Sequence, residues 1–109
     1  MTTPTDNNRG LLTLFASMKA LPGKEEELRS VLEDLVSATL KEEGCVNYDL
    51  HQDLDDPGSF HFYENWATPE LWARHNNSPH VTAFGARHDE LLEGGAADGV
   101  TLAKAKRIF

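Results

Sequence analysis

Cysteine is nearly absent from this chain of 109 residues, which contains only Cys45. One cysteine cannot form a disulfide within the chain, so the fold depends on a packed core and suits a reducing compartment. Basic residues are also few: 10 Lys and Arg stand against 18 Asp and Glu, for a net charge of −8. Because nucleic acids and anionic membrane surfaces attract basic faces, we expect neither of them as a partner.

Long apolar runs are missing as well. No stretch approaches the roughly 20 apolar residues that a membrane-spanning helix needs. Residues 1–10 are polar and contain no apolar segment of the kind found in secretory signals. We therefore expect a flexible lead-in over residues 1–10, a single domain over residues 11–109, and a location in the cytoplasm.

What the chain does contain is a regular alternation of apolar and polar residues. Period-two alternation indicates strands, and apolar residues three and four positions apart indicate helices. Pro69 and Pro79 each follow a hydroxyl residue that can cap a helix, so each marks a helix start. The pattern predicts strands over residues 11–21, 46–53, 59–66 and 100–109, helices over residues 24–40, 69–75 and 79–93, and a flexible loop over residues 94–99.

The predicted order of strands and helices is βαββαβ. This is the ferredoxin-like arrangement of the α+β class, with helices on one face of an antiparallel sheet. The first strand is apolar on both of its sides, with Leu14 and Ala16 on one and Leu11 and Phe15 on the other. Because the sheet face opposite the helices would be bare in a monomer, we expect a homodimer whose two sheets pack face to face.

Aromatic residues and histidines concentrate between residues 60 and 80. Phe62 and Trp66 share one strand face, and with Phe84 from the following helix they can form an apolar pocket that holds a flat ring. Small-molecule pockets of this kind also carry one or two polar groups. The residues expected to bind substrate are Phe62, Trp66 and Phe84, with Asn47 and Tyr63, on the polar strand faces, as weaker candidates.

Two histidines in this region, His75 and His80, are candidate general bases, because histidine titrates near neutral pH. Glu64 shares the strand face of the aromatic residues, where a buried charge needs a partner. We expect Glu64 to pair with His75 or Arg74 and so to orient a base. His88 is expected on the surface. The candidate catalytic residues are therefore His75, His80 and Glu64.

No metal site is predicted. No two histidines stand four residues apart on one helix, and nothing in the spacing requires His75, His80 and His88 to converge. The glycines at positions 94, 95 and 99 lie between a helix and a strand, which is the reverse of the order in phosphate-binding loops. We therefore expect a site without a metal ion or other cofactor.

Three segments carry a resemblance to a known family. They are residues 41–48 (Lys-Glu-Glu-Gly-Cys-Val-Asn-Tyr), residues 63–66 (Tyr-Glu-Asn-Trp), and His75 with the triplet at residues 78–80 (Ser-Pro-His). With these segments the chain resembles the antibiotic biosynthesis monooxygenase (ABM) family over residues 11–109. The resemblance implies a dimeric α+β barrel. It also implies one of several activities: quinol oxidation, haem degradation, or isomerisation of a phosphorylated autoinducer.

Two departures from the family narrow these activities. Members that oxidise aromatic polyketides carry Asn four residues before the Trp, where this chain has Phe62. Haem-degrading members carry an Asn in the first strand, which this chain lacks, and an iron-binding His at the position of Gly85. The resemblance thus implies a monooxygenase that oxidises a quinol or similar small phenol with O2 and uses neither metal nor flavin.

Two other functions remain open on the same scaffold. An isomerase of a small phosphorylated metabolite would need a cationic clamp, for which Arg74, Arg87 and Lys104 are available. A non-catalytic protein that binds an aromatic metabolite would need the pocket alone. Phosphate-dependent stabilisation would identify the isomerase, and ligand-dependent stabilisation without turnover would identify the binding protein.

Overall fold

The computed structural model describes residues 10–109, in which helices cover a four-stranded antiparallel sheet. The expected lead-in over residues 1–10 lies outside the described residues except for Gly10. None of the helices in the described part is long and apolar enough to cross a membrane. In chain order the elements are β1 (Leu12–Lys19), α1 (Glu25–Thr39), β2 (Cys45–Gln52), β3 (Ser59–Trp66), α2 (Pro69–Asn76), α3 (Pro79–Gly85), α4 (His88–Leu91), α5 (Gly95–Asp98) and β4 (Thr101–Ala105).

The strand order β2-β3-β1-β4 is that of the ferredoxin-like fold, which confirms the predicted α+β class. β1 pairs antiparallel with both β3 and β4, and β2 pairs antiparallel with β3. The prediction for β3 has the correct bounds, whereas β4 is shorter than predicted. It ends at Ala105, opposite Thr13, because β1 begins at Leu12 and offers little further edge for pairing.

The core lies between the sheet and the helices. Leu14, Ala16 and Met18 on β1 are buried on this side, and α1 buries residues at three- and four-residue steps against them. In the β1–β3 pairing, Leu14 lies opposite Glu64 and Ala16 lies opposite Phe62. A carboxyl group therefore sits in the middle of an otherwise apolar face of the sheet.

A glycine in the turn after α1 allows two parts of the site to meet. Gly44 has a φ of 88°, in the left-handed region that favours glycine. A Cβ atom at this position would lie 2.5 Å from Cδ1 of Leu71 on α2. The absence of a side chain at Gly44 thus lets α2 pack directly against the turn that carries Glu42.

The prediction of one continuous helix over residues 79–93 is wrong, because the structure has two shorter helices there and the second ends at Leu91. α3 ends at Gly85, and Arg87 takes a non-helical conformation (φ −106°, ψ 3°) before α4 begins. Gly85 favours the end of α3, because glycine is a poor helix former. After α4 the chain does not continue as a helix but forms hydrogen bonds with the end of β1. There the Glu93 backbone N–H donates to the carbonyl oxygen of Lys19 at 2.8 Å.

Residues 94–99 contain the helical turn α5 where the sequence predicts a flexible loop. Gly94 begins the turn with a φ of 89°, and a Cβ atom there would lie 2.7 Å from the carbonyl carbon of Asp98. The Asp89 carboxylate accepts a hydrogen bond from the Ala96 backbone N–H at 2.8 Å. Short-range hydrogen bonds of this kind hold a segment that composition alone marks as a loop.

The sheet face that points away from the helices carries a ladder of polar side chains beside an aromatic pair. The Thr13 hydroxyl donates to Asn65 Oδ1 at 2.6 Å, and Asn65 Nδ2 donates to Asn47 Oδ1 at 2.9 Å. This ladder crosses β1, β3 and β2. Beside it, Phe15 remains 49% exposed and stacks on Tyr63 with a ring-centroid distance of 5.5 Å.

Candidate active site

A cavity of about 230 Å³ opens between the sheet and the helices α2, α3 and α4. An apolar cavity of about 150 Å³ can hold benzene, so this volume suits one substituted aromatic ring. The side chains around the cavity are mostly apolar, as expected for a small-molecule site. Its polar members are Glu64, His75, Asn76 and His88, and its apolar members include Ala16, Met18, Tyr48, Phe62, Trp72, Val81, Phe84, Val100 and Leu102.

His75 is the buried base candidate at this cavity. It lies in the last turn of α2, a helix whose first turn is capped by the Thr68 hydroxyl, which accepts from the Leu71 backbone N–H. Its side chain is 5% exposed, and Nδ1 lies 2.6 Å from Oε2 of Glu42. An ionised carboxylate only accepts hydrogen bonds, so Nδ1 carries the proton and Nε2 keeps its lone pair.

The second ring nitrogen of His75 is free to act on a ligand. Nε2 makes no hydrogen bond with the residues that the structure describes, and the ring lines the cavity. Burial lowers the pKa of His75, and the hydrogen bond with Glu42 opposes that shift. The ring is therefore neutral near pH 7, so that a residue lining an apolar cavity carries a nitrogen lone pair with no partner among the described residues.

His80 lies on α3, directly after Pro79, and shares the carboxylate of Glu42 with His75. Its Nε2 is 2.8 Å from the same Oε2 atom, and the two imidazole centroids are 6.0 Å apart. Nothing in the spacing of the two histidines along the chain requires them to converge, yet both contact one oxygen atom. The ligating atoms of Glu42, His75 and His80 lie within 4.8 Å of one another, so these residues could hold a metal ion.

The prediction that Glu64 pairs with His75 or Arg74 is wrong. Glu64 accepts a hydrogen bond from the Trp66 indole N–H at 3.0 Å and does not bond to His75. Arg74, the other expected partner, lies on the surface with its guanidinium 3.4 Å from Glu43. Glu42, two residues before Gly44, takes the role that the sequence analysis gave to Glu64.

Glu64 is a second titratable group at the cavity. It is 5% exposed, and burial raises its pKa to about 7, although the hydrogen bond from Trp66 opposes that shift. A substantial fraction of Glu64 is therefore protonated at neutral pH. Oε2 of Glu64 makes no hydrogen bond among the described residues, so a protonated Glu64 can donate one to a ligand in the cavity.

The predicted aromatic residues divide into two groups. Phe62 and Phe84 line the cavity, as expected for residues that hold a ring. Trp66 is fully buried and lies behind the cavity wall, where its ring packs on His75 at a centroid distance of 4.7 Å. Trp66 thus supports His75 and Glu64 and is not among the cavity-lining residues.

The two weaker candidates are not at the cavity. Asn47 and Tyr63 lie on the opposite face of the sheet, within the polar ladder and the aromatic pair described above. Asn47 also donates to the Tyr63 carbonyl oxygen at 3.2 Å, so its amide has protein partners. Both residues belong to the face where the sequence predicts a dimer contact.

His88 lines the cavity, although the sequence analysis expected it on the surface. His88 follows Phe84 by four residues, and the two rings meet edge-on at a centroid distance of 4.5 Å. Its Nε2 atom is buried without a hydrogen-bond partner among the described residues, and burial lowers the pKa of His88. Tyr48 and Trp72 are further cavity residues that the sequence analysis missed.

Comparison with known proteins agrees with this architecture. The family model described as Antibiotic biosynthesis monooxygenase matches residues 11–87. The Bacillus subtilis protein "Putative monooxygenase YcnE" is 33% identical over 82 residues, which are 75% of this chain and 86% of that one. Protein PA3566 from Pseudomonas aeruginosa, a solved structure, matches with a TM-score of 0.84 at 33% identity, covering 94% of this chain and 98% of that chain. By these matches, this chain belongs to the antibiotic biosynthesis monooxygenase family.

Proposed function

We propose that this protein is a cofactor-independent monooxygenase that oxidises a quinol or a similar small phenol with O2. One observation carries the proposal: His75, held by Glu42 at 2.6 Å, keeps an unpartnered Nε2 at an apolar cavity large enough for one aromatic ring. A base in this arrangement can remove the proton of a bound phenol.

Proton removal overcomes the main barrier to the reaction. Triplet O2 reacts slowly with closed-shell molecules, but an electron-rich phenolate can transfer one electron to it. The substrate radical and superoxide then combine to form a C–O bond at a ring carbon, which gives a hydroperoxide. Cleavage of the O–O bond and loss of water leave one oxygen atom on the ring, so a quinol and O2 yield a hydroxyquinone and water.

Other cavity residues have defined roles in this scheme. His75, protonated in the first step, returns its proton as water leaves. Protonated Glu64 donates a hydrogen bond to a ring oxygen and favours the bound orientation. Phe62 and Phe84 pack on the ring faces, and the apolar walls keep bulk water away from the radical pair.

We also propose that the protein is a homodimer whose two subunits contact each other through the exposed sheet face. On that face Phe15 is 49% exposed and stacks on the partly exposed Tyr63, and an exposed aromatic pair of this kind marks a candidate protein–protein contact. Sedimentation at micromolar concentration is the test, and a monomer would disprove the dimer.

The activity is tested by O2 uptake with metal-stripped protein over a panel of quinols and hydroxynaphthalenes. We expect uptake above the rate without enzyme, and a loss of about 10²-fold or more in the His75→Ala variant. The matched control is His51→Ala, because His51 is an exposed histidine on β2 away from the cavity. Uptake that equals autoxidation for every compound, or that survives in His75→Ala, would overturn the proposal.

The isomerase alternative receives no support from the positions of the cationic residues. Arg74 faces Glu43, Arg87 bonds to Glu27 and Glu90, and Lys104 lies over the Trp72 ring at 5.1 Å from its centroid. Each is engaged elsewhere, and none of the three lines the cavity. A non-catalytic binding protein would be identified by thermal stabilisation with a quinol without O2 uptake.

A further inference from the structure

We propose that Glu42 Oε2, His75 Nδ1 and His80 Nε2 form a binding site for a divalent transition-metal ion such as Zn²⁺, and that the bound ion turns His75 from a proton acceptor into a hydrogen-bond donor. The binding part stands on these three residues alone. The switching part rests on the proposed function, because it concerns the same ring nitrogen of His75.

The three ligating atoms already converge. One carboxylate oxygen lies 2.6 Å from His75 Nδ1 and 2.8 Å from His80 Nε2, and all three atoms are within 4.8 Å of one another. Ligand atoms about 2.1 Å from a metal ion lie about 3.0 Å apart at 90° and about 3.4 Å apart at the tetrahedral angle. The oxygen would therefore have to move away from each nitrogen by about 0.2–0.8 Å, and the two nitrogens, at most 4.8 Å apart, would approach each other by up to about 1.4 Å, which side-chain rotations can supply.

The ligand types select the class of ion. Two imidazole nitrogens and one carboxylate oxygen favour Zn²⁺, Co²⁺ and similar transition metals, whereas Mg²⁺ and Ca²⁺ prefer oxygen ligands alone. Three protein ligands leave at least one coordination position for water. Cys45 does not belong to the cluster, so the site has no thiolate.

The ion has a route to the site that avoids the substrate cavity. His75 lines that cavity, whereas His80 lines an adjoining surface depression with Asp34 and Arg87, and Leu35 and Phe84 line both. The side chains of His80 and Glu42 are partly exposed, at 23% and 18%. The cluster therefore connects an outer depression with the residue that acts in the inner cavity.

The switch follows from the two positions of the imidazole proton. Without metal, the His75 Nδ1–H donates to Glu42, and Nε2 carries the free lone pair of a ring that lines the cavity. A metal ion on Nδ1 needs the lone pair of that atom, so the Nδ1 proton is released to solvent and Nε2 takes up a proton in exchange. The ring stays neutral and exchanges no net proton, yet the atom at the cavity becomes a donor and can no longer accept the proton of a phenol.

Metal binding is measured first, on tag-free protein stripped with a chelator and dialysed. Zn²⁺ is followed by equilibrium dialysis, and Co²⁺ by its visible absorption. We expect about one ion per chain, no competition by Mg²⁺, and Zn²⁺ affinity more than about tenfold weaker in His80→Ala, with His51→Ala unchanged. No bound ion in the wild type, or equal affinity in His80→Ala, would overturn the site.

A second variant tests the site in case His80→Ala does not fold. Glu42→Gln keeps the size of the side chain but removes its charge, and circular dichroism shows whether it is folded. A folded Glu42→Gln should also bind Zn²⁺ more than about tenfold more weakly, because a neutral amide oxygen is a poorer zinc ligand than a carboxylate. Unchanged Zn²⁺ affinity in a folded Glu42→Gln would remove Glu42 from the site.

The proton position is read directly by long-range ¹H–¹⁵N NMR of the histidine rings. We expect His75 to be the Nδ1–H tautomer without metal and the Nε2–H tautomer with Zn²⁺. Unchanged His75 signals with Zn²⁺ bound would overturn the switch. Zn²⁺ should also lower O2 uptake severalfold, with recovery on chelation, and faster uptake with Zn²⁺ would again overturn it. Absence of uptake in the metal-free protein would contradict the proposed function and leave the dialysis and NMR results to decide the metal site.

Discussion

Replacing Glu64 by glutamine should change the pH dependence of stability in a calculable way. Burial raises the pKa of Glu64 to about 7, against 4.5 for an ordinary glutamate. A carboxyl group whose pKa is higher in the folded protein than in the unfolded chain favours folding while it is protonated. This contribution is complete below the pKa of the unfolded chain and is lost as the pH rises through the pKa of the folded protein. A shift of about 2.5 units corresponds to about 3 kcal/mol, since one unit is about 1.4 kcal/mol.

Glutamine at this position keeps the size of the side chain and its acceptor oxygen for the Trp66 indole N–H, but it cannot ionise. The free energy of unfolding of Glu64→Gln minus that of the wild type should therefore be nearly constant below about pH 4. It should then rise in favour of the variant, most steeply between about pH 5 and pH 7, and level off above about pH 8 after a total change of about 3 kcal/mol.

The assay is urea unfolding of both proteins at fixed protein concentration across about pH 4 to about pH 9, a range that includes the flat regions on both sides of the change. Subtracting the two curves cancels the contributions of all other titrating groups. The matched control is Glu43→Gln, since the Glu43 side chain is 76% exposed, and its difference curve should be flat. Parallel pH profiles for the wild type and Glu64→Gln would show that Glu64 titrates like a solvated carboxyl and would refute the argument.

Three further changes test other parts of the structure. Trp66→Phe removes the donor to Glu64, so the pKa of Glu64, followed by ¹³C NMR of its carboxyl carbon, should rise further; an unchanged pKa would contradict the hydrogen bond. Gly44→Ala should lower the free energy of unfolding by about 2 kcal/mol or more in urea titrations, because of its positive φ and the contact of a new Cβ with Leu71. Phe15→Glu should halve the sedimenting mass without unfolding the chain, and an unchanged mass would place the dimer contact elsewhere.

Local sequence patterns predicted the elements that frame the site. The alternation in β3 fixes which of its residues face the helices, and it assigned Phe62 and Glu64 to the cavity side correctly. The hydroxyl-proline pairs before α2 and α3 placed His75 and His80 on two separate helices. In each case the signal is local, because strand period and helix capping depend on neighbouring residues only.

The same local patterns do not predict contacts between residues that are far apart in the chain. Glu42 meets His75 across 33 residues of chain, and it stands in an acidic turn where exposed carboxylates are ordinary. The contact of His88 with Phe84, four residues earlier, agrees with helical spacing, but spacing does not show which side chains from other parts of the chain cover that face. The depth of Trp66 depends on how α2 packs, which alternation does not encode.

The polar ladder on the far side of the sheet has a consequence for how this site can diversify. Asn65 lies between Glu64 and Trp66 in β3, and its amide is held by Thr13 on β1 and Asn47 on β2. A slip of β3 by two residues would keep its apolar face inward but would remove Asn65 from both partners. The hydrogen bonds of Asn65 on the face opposite the cavity thus fix the register of the strands. Side chains in the cavity can therefore change size and polarity while the backbone of β3 stays in place. New substrate preferences can thus arise by substitution of cavity residues without a change in the strand register or the fold.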